Sequence, residues 1–486
     1  MTTSFGSRIP RPYQVLSLTA VATFLVSLDV SIVVVAKRTI EADLGGGSLI
    51  TWVFSAYAIA YAAGLLTAGR FADVYGRKRS FLRGLFIFSV GSLLCGISPT
   101  TWVLILARII QAMGGAQLTP ASIALVLPEF PVEKRTQAIA IWGATGGLAA
   151  ALGPSVGGIL VDLLGWRSLF FINIPFTVVT ILLGRKILHE SKDPNAQRQV
   201  DYPSVVFGFT GVALVVLGIS QSEAWGWTDT KTLGSIALGI ILVALFVQRC
   251  RVVTSPLLDL KLFRLPFVLA ANLSGLLFSV GFIGMWLLNT FWLQAVWGYG
   301  VAQSGLATMP GPAMAALVAP FAGKYAHKFG HARILLAGSI MLSIGTFGLT
   351  TFIPIEPSYL THYLPWMILT GFGVGLSIST LSSSATAYLK PTQFAMGSAL
   401  NTTARQIGTA LGAALSLAIA APALGRIEAA RRAGTSLDLV DVKEMHVAWI
   451  MNGFVYLVAG ITMITIFRKP TEAQMDDARA AVKFED

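Results

Sequence analysis

The chain has 486 residues, is 55% hydrophobic and only 12% charged, and has a mean hydropathy of +0.71. A soluble protein of this length carries about 25% charged residues, so a single water-soluble core is excluded. The net charge of +12 does not point to nucleic acid, because the basic residues come in short clusters between apolar runs, as membrane topology requires.

Runs of about twenty apolar residues, the length a bilayer-spanning helix needs, recur from end to end. In chain order, spans are predicted near 15–36, 50–68, 81–98, 102–127, 137–160, 168–185, 203–222, 232–248, 267–291, 303–322, 333–353, 364–386, 396–420 and 446–467. The first follows Arg8 and Arg11 like a signal peptide, but it is long enough to span and no soluble mature domain follows it. It is read as an uncleaved helix 1. An even count places both termini on one side. With the N-terminus inside, 25 Lys and Arg fall in cytoplasmic segments and 8 in external ones, leaving Arg108 and Arg405 within spans. That bias puts both termini in the cytoplasm. Cys95 and Cys250 fall in or at the end of spans and imply no disulfide framework or metal set.

An internal echo suggests a design in two halves. Gly69, Asp73, Gly76 and Arg79 after helix 2 return as Gly323, His327, Gly330 and Arg333 after helix 10, at a constant offset of 254. Repeated halves around a midplane site are a common plan of secondary transporters. The second copy comes two helices later than a twelve-helix plan would place it, so helices 7 and 8 read as an inserted pair. The expected organisation is all-α and polytopic: a cytoplasmic N-terminus (1–14), a six-helix bundle (15–185), two inserted helices with linkers (186–266), a second six-helix bundle (267–467) and a cytoplasmic tail (468–486). The longest external segment, 421–445, is too short for a separate domain.

Three ionisable residues lie well inside spans: Asp29, Arg108 and Arg405. Each costs about 2.5–3.5 kcal/mol at a helix centre, so each needs a partner, a wet cavity or a function. At 1.5 Å per residue, Asp29 lies about 21 Å from the inner face and Arg108 about 9 Å from the outer face. In a core of about 30 Å these depths are similar, and the two meet if helices 1 and 4 are neighbours. A carboxylate raised by burial and lowered again by an approaching Arg is a workable proton switch; the alternative is a static ion pair.

The loop Gly69-Arg70-Phe71-Ala72-Asp73-Val74-Tyr75-Gly76-Arg77-Lys78-Arg79 combines turn glycines with a basic cluster suited to helix ends and anionic headgroups. On helix 4, Arg108, Gln111, Gly115 and Thr119 form one polar, small-residue stripe, which in a bilayer faces protein. Helix 5 carries Gly143, Gly146, Gly147, Gly153, Pro154, Gly157 and Gly158, a close-packing face with a kink-favouring proline. His327 and His331 stand four apart, but Gly330 intervenes in what reads as a turn, so no metal site is assigned. Trp286, Asn289, Trp292 and Gln294, together with Asn401 and Arg405, are the candidate substrate-cavity residues; interfacial anchoring and bracing are the competing readings.

These segments resemble a known family. The loop after helix 2 resembles motif A of the major facilitator superfamily. Arg108, Gln111, Gly114 and Gly115 resemble its motif B, and Gly153-Pro154-Ser155-Val156-Gly157-Gly158 its motif C, the antiporter motif. Leu28-Asp29-Val30-Ser31-Ile32-Val33 is similar to the helix 1 signature of the fourteen-span drug:proton antiporters, the EmrB/QacA group. Trp166-Arg167, Phe171-Ile172-Asn173-Ile174-Pro175, Trp225-Gly226-Trp227, Pro256-Leu257-Leu258-Asp259-Leu260 and Arg405-Gln406-Ile407-Gly408 extend the likeness over nearly the whole chain.

The resemblance implies a major facilitator fold of two six-helix bundles plus two inserted helices. It implies proton coupling through Asp29 and Arg108, gating through Gly69, Asp73, Gly76 and Arg77, and exchange through Gly153, Pro154, Gly157 and Gly158. Departures are Val34, Lys37 and Arg38 in place of the usual helix 1 Asn and Leu-Pro, Ala112 for Gly in motif B, and His327 for an acid in the second motif A copy. The expected function is proton-driven export of small amphipathic compounds from a bacterial cytoplasmic membrane. Its partners are the substrate, protons and membrane lipid, without cofactor, metal or nucleic acid. Export of an endogenous lipid or metabolite is the alternative; no catalytic constellation or soluble output domain speaks for an enzyme or a sensor.

Overall fold

The computed structural model describes residues 9–191, 201–254, 256–472 and 474–476. Among them, fourteen α-helices reach 15 residues or more. In chain order these are α1 (Arg11–Val35), α2 (Trp52–Tyr75), α3 (Arg77–Gly96), α4 (Thr101–Val126), α5 (Val132–Leu164), α6 (Asn173–Ile187) and α7 (Tyr202–Ser220). The remainder are α8 (Thr230–Val252), α9 (Pro266–Phe291), α10 (Pro310–Phe329), α11 (His331–Phe352), α12 (Leu364–Thr386), α13 (Phe394–Ala433) and α14 (Lys443–Ile466). Thirteen candidate spans are long and apolar enough to cross a membrane; α5 is outside that set and lies against α1, α10 and α12. Phe86, Leu163, Phe176, Ile240, Leu317 and Phe321 are all exposed on the outside of the body, an apolar surface suited to lipid rather than water.

Several predicted spans are divided or extended. The span predicted at 168–185 is a short turn, Ser168–Phe171, followed by α6, and the span at 303–322 is Val301–Thr308 followed by α10. The second break falls at Met309, directly before Pro310, where the missing backbone donor and the restriction on the preceding residue favour a new start. An eight-residue helix, Lys37–Leu44, was not among the predicted spans. The span predicted to end at 420 is extended: α13 runs on to Ala433, leaving Gly434–Val442 between helices. Hydropathy falls over those last turns, but their alanines keep helix propensity high. Glu428 pairs with Arg432 one turn on, and Arg426 binds Glu444 at the start of α14.

Helices α1–α6 pack among themselves, as do α9–α14, while α7 and α8 pair with each other and α7 leans on α2 and α13. The two groups of six meet chiefly along two crossings, α2 with α13 and α5 with α10, with α4 also against α13 and α5 against α12. The echoed glycines sit at these crossings. A Cβ on Gly69 would stand 2.9 Å from Ala399 Cβ and 3.1 Å from the Ala395 carbonyl; one on Gly323 would stand 2.8 Å from Ala140 Cβ and 3.0 Å from the Thr136 carbonyl. Gly76 and Gly330 then end α2 and α10 in matching conformations, φ 110°, ψ 138° and φ 94°, ψ 142°, which side chains with a Cβ avoid. The sequence echo is therefore a structural repeat.

Arg11 bonds Glu129 at 3.1 Å and Phe467 packs on His331, which places both described ends of the chain at one end of the body. There a single hydrophobic cluster joins the halves, running from Val15 and Leu16 to Leu389, Phe394 and Leu400. The clusters around Ile40, Ile50 and Trp166 and around Leu349, Tyr363 and Trp449 each stay within one half. The halves are packed shut at the end that carries the termini.

Candidate functional site

The structure brings Asp29 and Arg108 together inside the first six helices. Arg108 and Gln111 stand three apart on α4, so they share a face, and that face is turned to α1. Arg108 Nη1 donates to Asp29 Oδ2 at 2.5 Å and to Gln111 Oε1 at 2.6 Å. Gln111 Nε2 donates to Asp29 Oδ1 at 2.8 Å and to Ser92 Oγ on α3 at 2.7 Å. Asn173, at the start of α6, donates to Asp29 Oδ1 and to Ser92 Oγ, both at 3.3 Å. Arg108 Nε reaches the Val53 carbonyl of α2 at 3.3 Å, and its guanidinium carbon lies 4.0 Å from the centre of the Tyr57 ring.

Five helices thus close on one carboxylate, and none of its partners meets solvent: Asp29 is 0% exposed, Arg108 1%, Gln111 0% and Asn173 1%. Buried charges hold such positions only when paired and fully hydrogen-bonded, and both Asp29 oxygens are engaged. Gly115, one turn beyond Gln111, leaves room for Tyr57: a Cβ there would lie 3.2 Å from the Tyr57 hydroxyl. Tyr57 stacks on Tyr61, with ring centres 6.1 Å apart, and the Tyr61 hydroxyl bonds Thr119 at 2.8 Å. Polar and aromatic contacts therefore continue from Asp29 along α2 toward the other half.

The glycines of α5 hold α1 at this site. The space for a Cβ on Gly153 is filled by Ser31 and that on Gly157 by Ile32, within one turn of Asp29. Gly158 faces open space, and the side chain of Pro154 lies outside the described residues. At the termini end, Asp73 and Arg77 form a buried pair at 3.2 Å. Glu190 accepts from the Lys78 and Arg79 backbone amides, each at 3.1 Å, capping the exposed N–H groups of α3.

The candidate cavity residues do not form one group. Trp292 is 0% exposed and packed against Trp449 and His446. Asn289 is 1% exposed, accepts from Trp449 Nε1 at 3.1 Å and faces the Met367 sulfur at 3.3 Å. In this closed arrangement both lie in the core of the second half, where the Trp449 indole pairs with the Asn289 amide. Gln294 donates to Ser304 at 3.0 Å. Asn401 lies beside α9, donating to the Ala271 carbonyl at 3.4 Å, and Arg405 sits next to it against Gly275. Trp286 is half-buried and eleven residues beyond Gly275, which is three turns, so it shares that face of α9. His331 is buried against Tyr388 and Phe467; the His327 side chain lies outside the described residues.

Asn173, Ser92 and Tyr57 were not expected as members of the Asp29 cluster. Ser92 and Tyr57 sit singly within apolar helices and show no pattern of their own. Asn173 was visible only as part of a resemblance. Arg135 was read as one loop charge among many, yet it is 0% exposed and reaches the Leu127 and Phe130 carbonyls at 3.2 and 3.3 Å.

A lipid-facing helical body of two repeated halves, with a sealed ion-pair cluster inside one of them, defines a polytopic membrane transporter. The chain belongs to the Major Facilitator Superfamily, whose sequence profile matches residues 19–413 and, in an overlapping second match, 290–484. It is 30% identical over 436 residues to the tetracenomycin C resistance and export protein of Streptomyces glaucescens, covering 89% of this chain and 80% of that one. It is 32% identical over 397 residues to a multidrug resistance protein B homolog of Mycobacterium tuberculosis, covering 81% and 73%. The fold matches the crystal structure of the human organic anion transporter MFSD10 with a TM-score of 0.65 at 14% identity, over 94% of this chain and 100% of that chain.

Proposed function

We propose that this chain is a proton-coupled antiporter that exports small amphipathic compounds by alternating access. The observation that carries the reading is Asp29, the one carboxylate in the middle of a described helix of span length, held by Arg108, Gln111 and Asn173. A proton arriving on Asp29 removes the partner of Arg108 and disturbs every bond in the cluster, including those through α4 to α2. Burial makes that exchange energetically large, and a charge crossing the membrane supplies about 2.3 kcal/mol per 100 mV. Drug and antibiotic export in the names of relatives, among them a cephamycin export protein of Amycolatopsis lactamdurans at 32% identity, supports outward transport of such cargo.

In this reading α1–α14 all span, α5 included, and both termini are cytoplasmic, so the shut end is the cytoplasmic one. The crossings at Gly69 and Gly323 are the surfaces that part, and the Asp73–Arg77 pair braces one of them. The proton gradient is the sole energy source, and the location is a bacterial cell membrane. Export of an endogenous lipid or metabolite fits the same geometry.

The test is proteoliposomes loaded with a panel of anionic, neutral and cationic fluorescent amphipaths, with and without an imposed proton gradient. Gradient-dependent movement of at least one probe, lost in Asp29→Asn at equal abundance, is expected. Movement indifferent to the gradient, or to Asp29→Asn, overturns the coupling.

A further inference from the structure

We propose that Arg405 is an anion anchor in the transport pathway, so that the preferred cargo of this transporter carries a carboxylate, sulfonate or similar acidic group. The inference rests on the exporter reading above and names its substrate class.

Position comes first. Arg405 lies eleven residues after the start of α13 at Phe394, about 17 Å along the helix at 1.5 Å per residue. Ile407 and Ala410 pack toward Val212 and Val243 of the inserted pair. At about 100° per residue they point roughly 160° and 140° away from Arg405. Gly408 and Gly412, on the other flank, press against the Leu276 and Val280 backbone of α9. Arg405 is therefore turned away from the inserted pair, between α9 on one side and α2 and α4 on the other. Helix α13 packs on α2 and α4 across the divide between the halves.

Charge comes second. Of the two arginines inside spans, Arg108 is neutralised by Asp29. Arg405 has no carboxylate partner among the described residues, and its Nε is buried with no hydrogen-bond partner. The rest of the side chain is partly exposed. A guanidinium at mid-helix depth is costly unless something completes it, and its planar fork suits a two-oxygen acid. The same fixed positive charge repels a lipophilic cation, so it discriminates by exclusion as well as by attraction.

The experiment uses the full chain in proteoliposomes under an imposed proton gradient, with 8-anilinonaphthalene-1-sulfonate as the anionic probe and ethidium as the cationic one. The anion is expected to move at least tenfold faster than the cation. Arg405→Gln is expected to cut anion transport at least tenfold, and Arg405→Lys to restore most of it. Matching size-exclusion profiles separate loss of the anchor from loss of the fold. Ethidium movement equal to or faster than the sulfonate, or sulfonate transport untouched in Arg405→Gln, overturns the anchor while leaving the exporter standing. Movement of no probe in the charged and neutral panel overturns both.

Discussion

Arg135 at the start of α5 carries its guanidinium 5.1 Å over the ring of Phe394, the first residue of α13, so one side chain ties the two halves at the termini end. Its Nη1 also approaches the Ala387 carbonyl at 3.5 Å, while Nε holds Leu127 and Phe130. Arg135→Ala would leave buried carbonyls without donors, and each such loss costs about 1–3 kcal/mol. Because the contacts to Ala387 and Phe394 cross between the halves, their loss weakens the closed arrangement, and the expected result is easier opening at this end. Labelling of a Met396→Cys reporter by a water-soluble maleimide should rise several-fold in the Arg135→Ala background. An unchanged labelling rate would show that the tie bears no load.

The matched glycines give a symmetric prediction. Leucine at Gly69 or Gly323 places a branched chain where a bare Cβ already meets backbone and methyl groups within 3.1 Å. Either substitution should wedge its crossing apart, and transport should fall at least tenfold while expression persists. Equal effects from the two sites are expected, because the crossings are copies. A strong effect at Gly69 alone, measured in the same vesicles, would break the equivalence.

Asp29→Asn keeps the shape of the carboxylate but removes the charge that Arg108 needs. Loss of one partner from a buried pair costs about 3–5 kcal/mol, so the variant should be less thermostable in detergent as well as uncoupled. Gradient-driven transport should drop about a hundredfold. Substrate exchange without a gradient should persist, because the cluster is sealed away from the inter-half space. The double variant Asp29→Asn with Arg108→Gln should recover stability but not coupling, and melting curves read beside transport separate the two.

A pH prediction follows from the clamp on the inserted pair. Asp201, just before α7, receives Arg249 Nε at 2.7 Å and Nη2 at 2.8 Å from the last turns of α8. The Arg249 hydrogen bonds hold the Asp201 carboxyl below its ordinary value, with Ser204 adding to the effect. A carboxylate lowered in the folded state contributes its stability above the unfolded value of about 3.9 and loses it as pH falls through the folded value. Arg249 is 41% exposed, and solvent screening at that end keeps the pair's contribution small. Asp201→Asn should lower thermal stability slightly at pH 7, and the difference from the parent should shrink and then vanish as acid protonates the carboxyl in the folded state. A difference that persists in acid would assign the effect to something other than the ion pair.

Membrane character and helix placement were legible because bilayer thickness imposes a length and an apolar content that composition cannot disguise. The repeat was legible through Gly69 and Gly323, since only residues without a side chain tolerate those crossings. Asp29 and Arg108 stood out because charge in a span is rare. Their partners did not, because Ser92, Asn173 and Tyr57 are ordinary in type and acquire meaning from three further helices. Trp292 and Asn289 were ambiguous for the converse reason: a core that buries indoles and amides has the composition of a ligand cavity. The end of α13 was missed because hydropathy measures the lipid boundary, while the helix itself continues wherever alanines and i,i+4 pairs sustain it.

The inserted pair makes the two flanks of the molecule unequal. Helix α7 lies over the seam between α2 and α13, with α8 outside it, whereas the seam between α5 and α10 carries the eight-residue helix Val301–Thr308, which touches both. A compound dissolved in the bilayer meets two span-length helices at the first seam and one short helix at the second. The protein thus has internal repetition without equivalent sides, and a lipid-borne visitor finds one doorstep lightly covered and the other deeply screened.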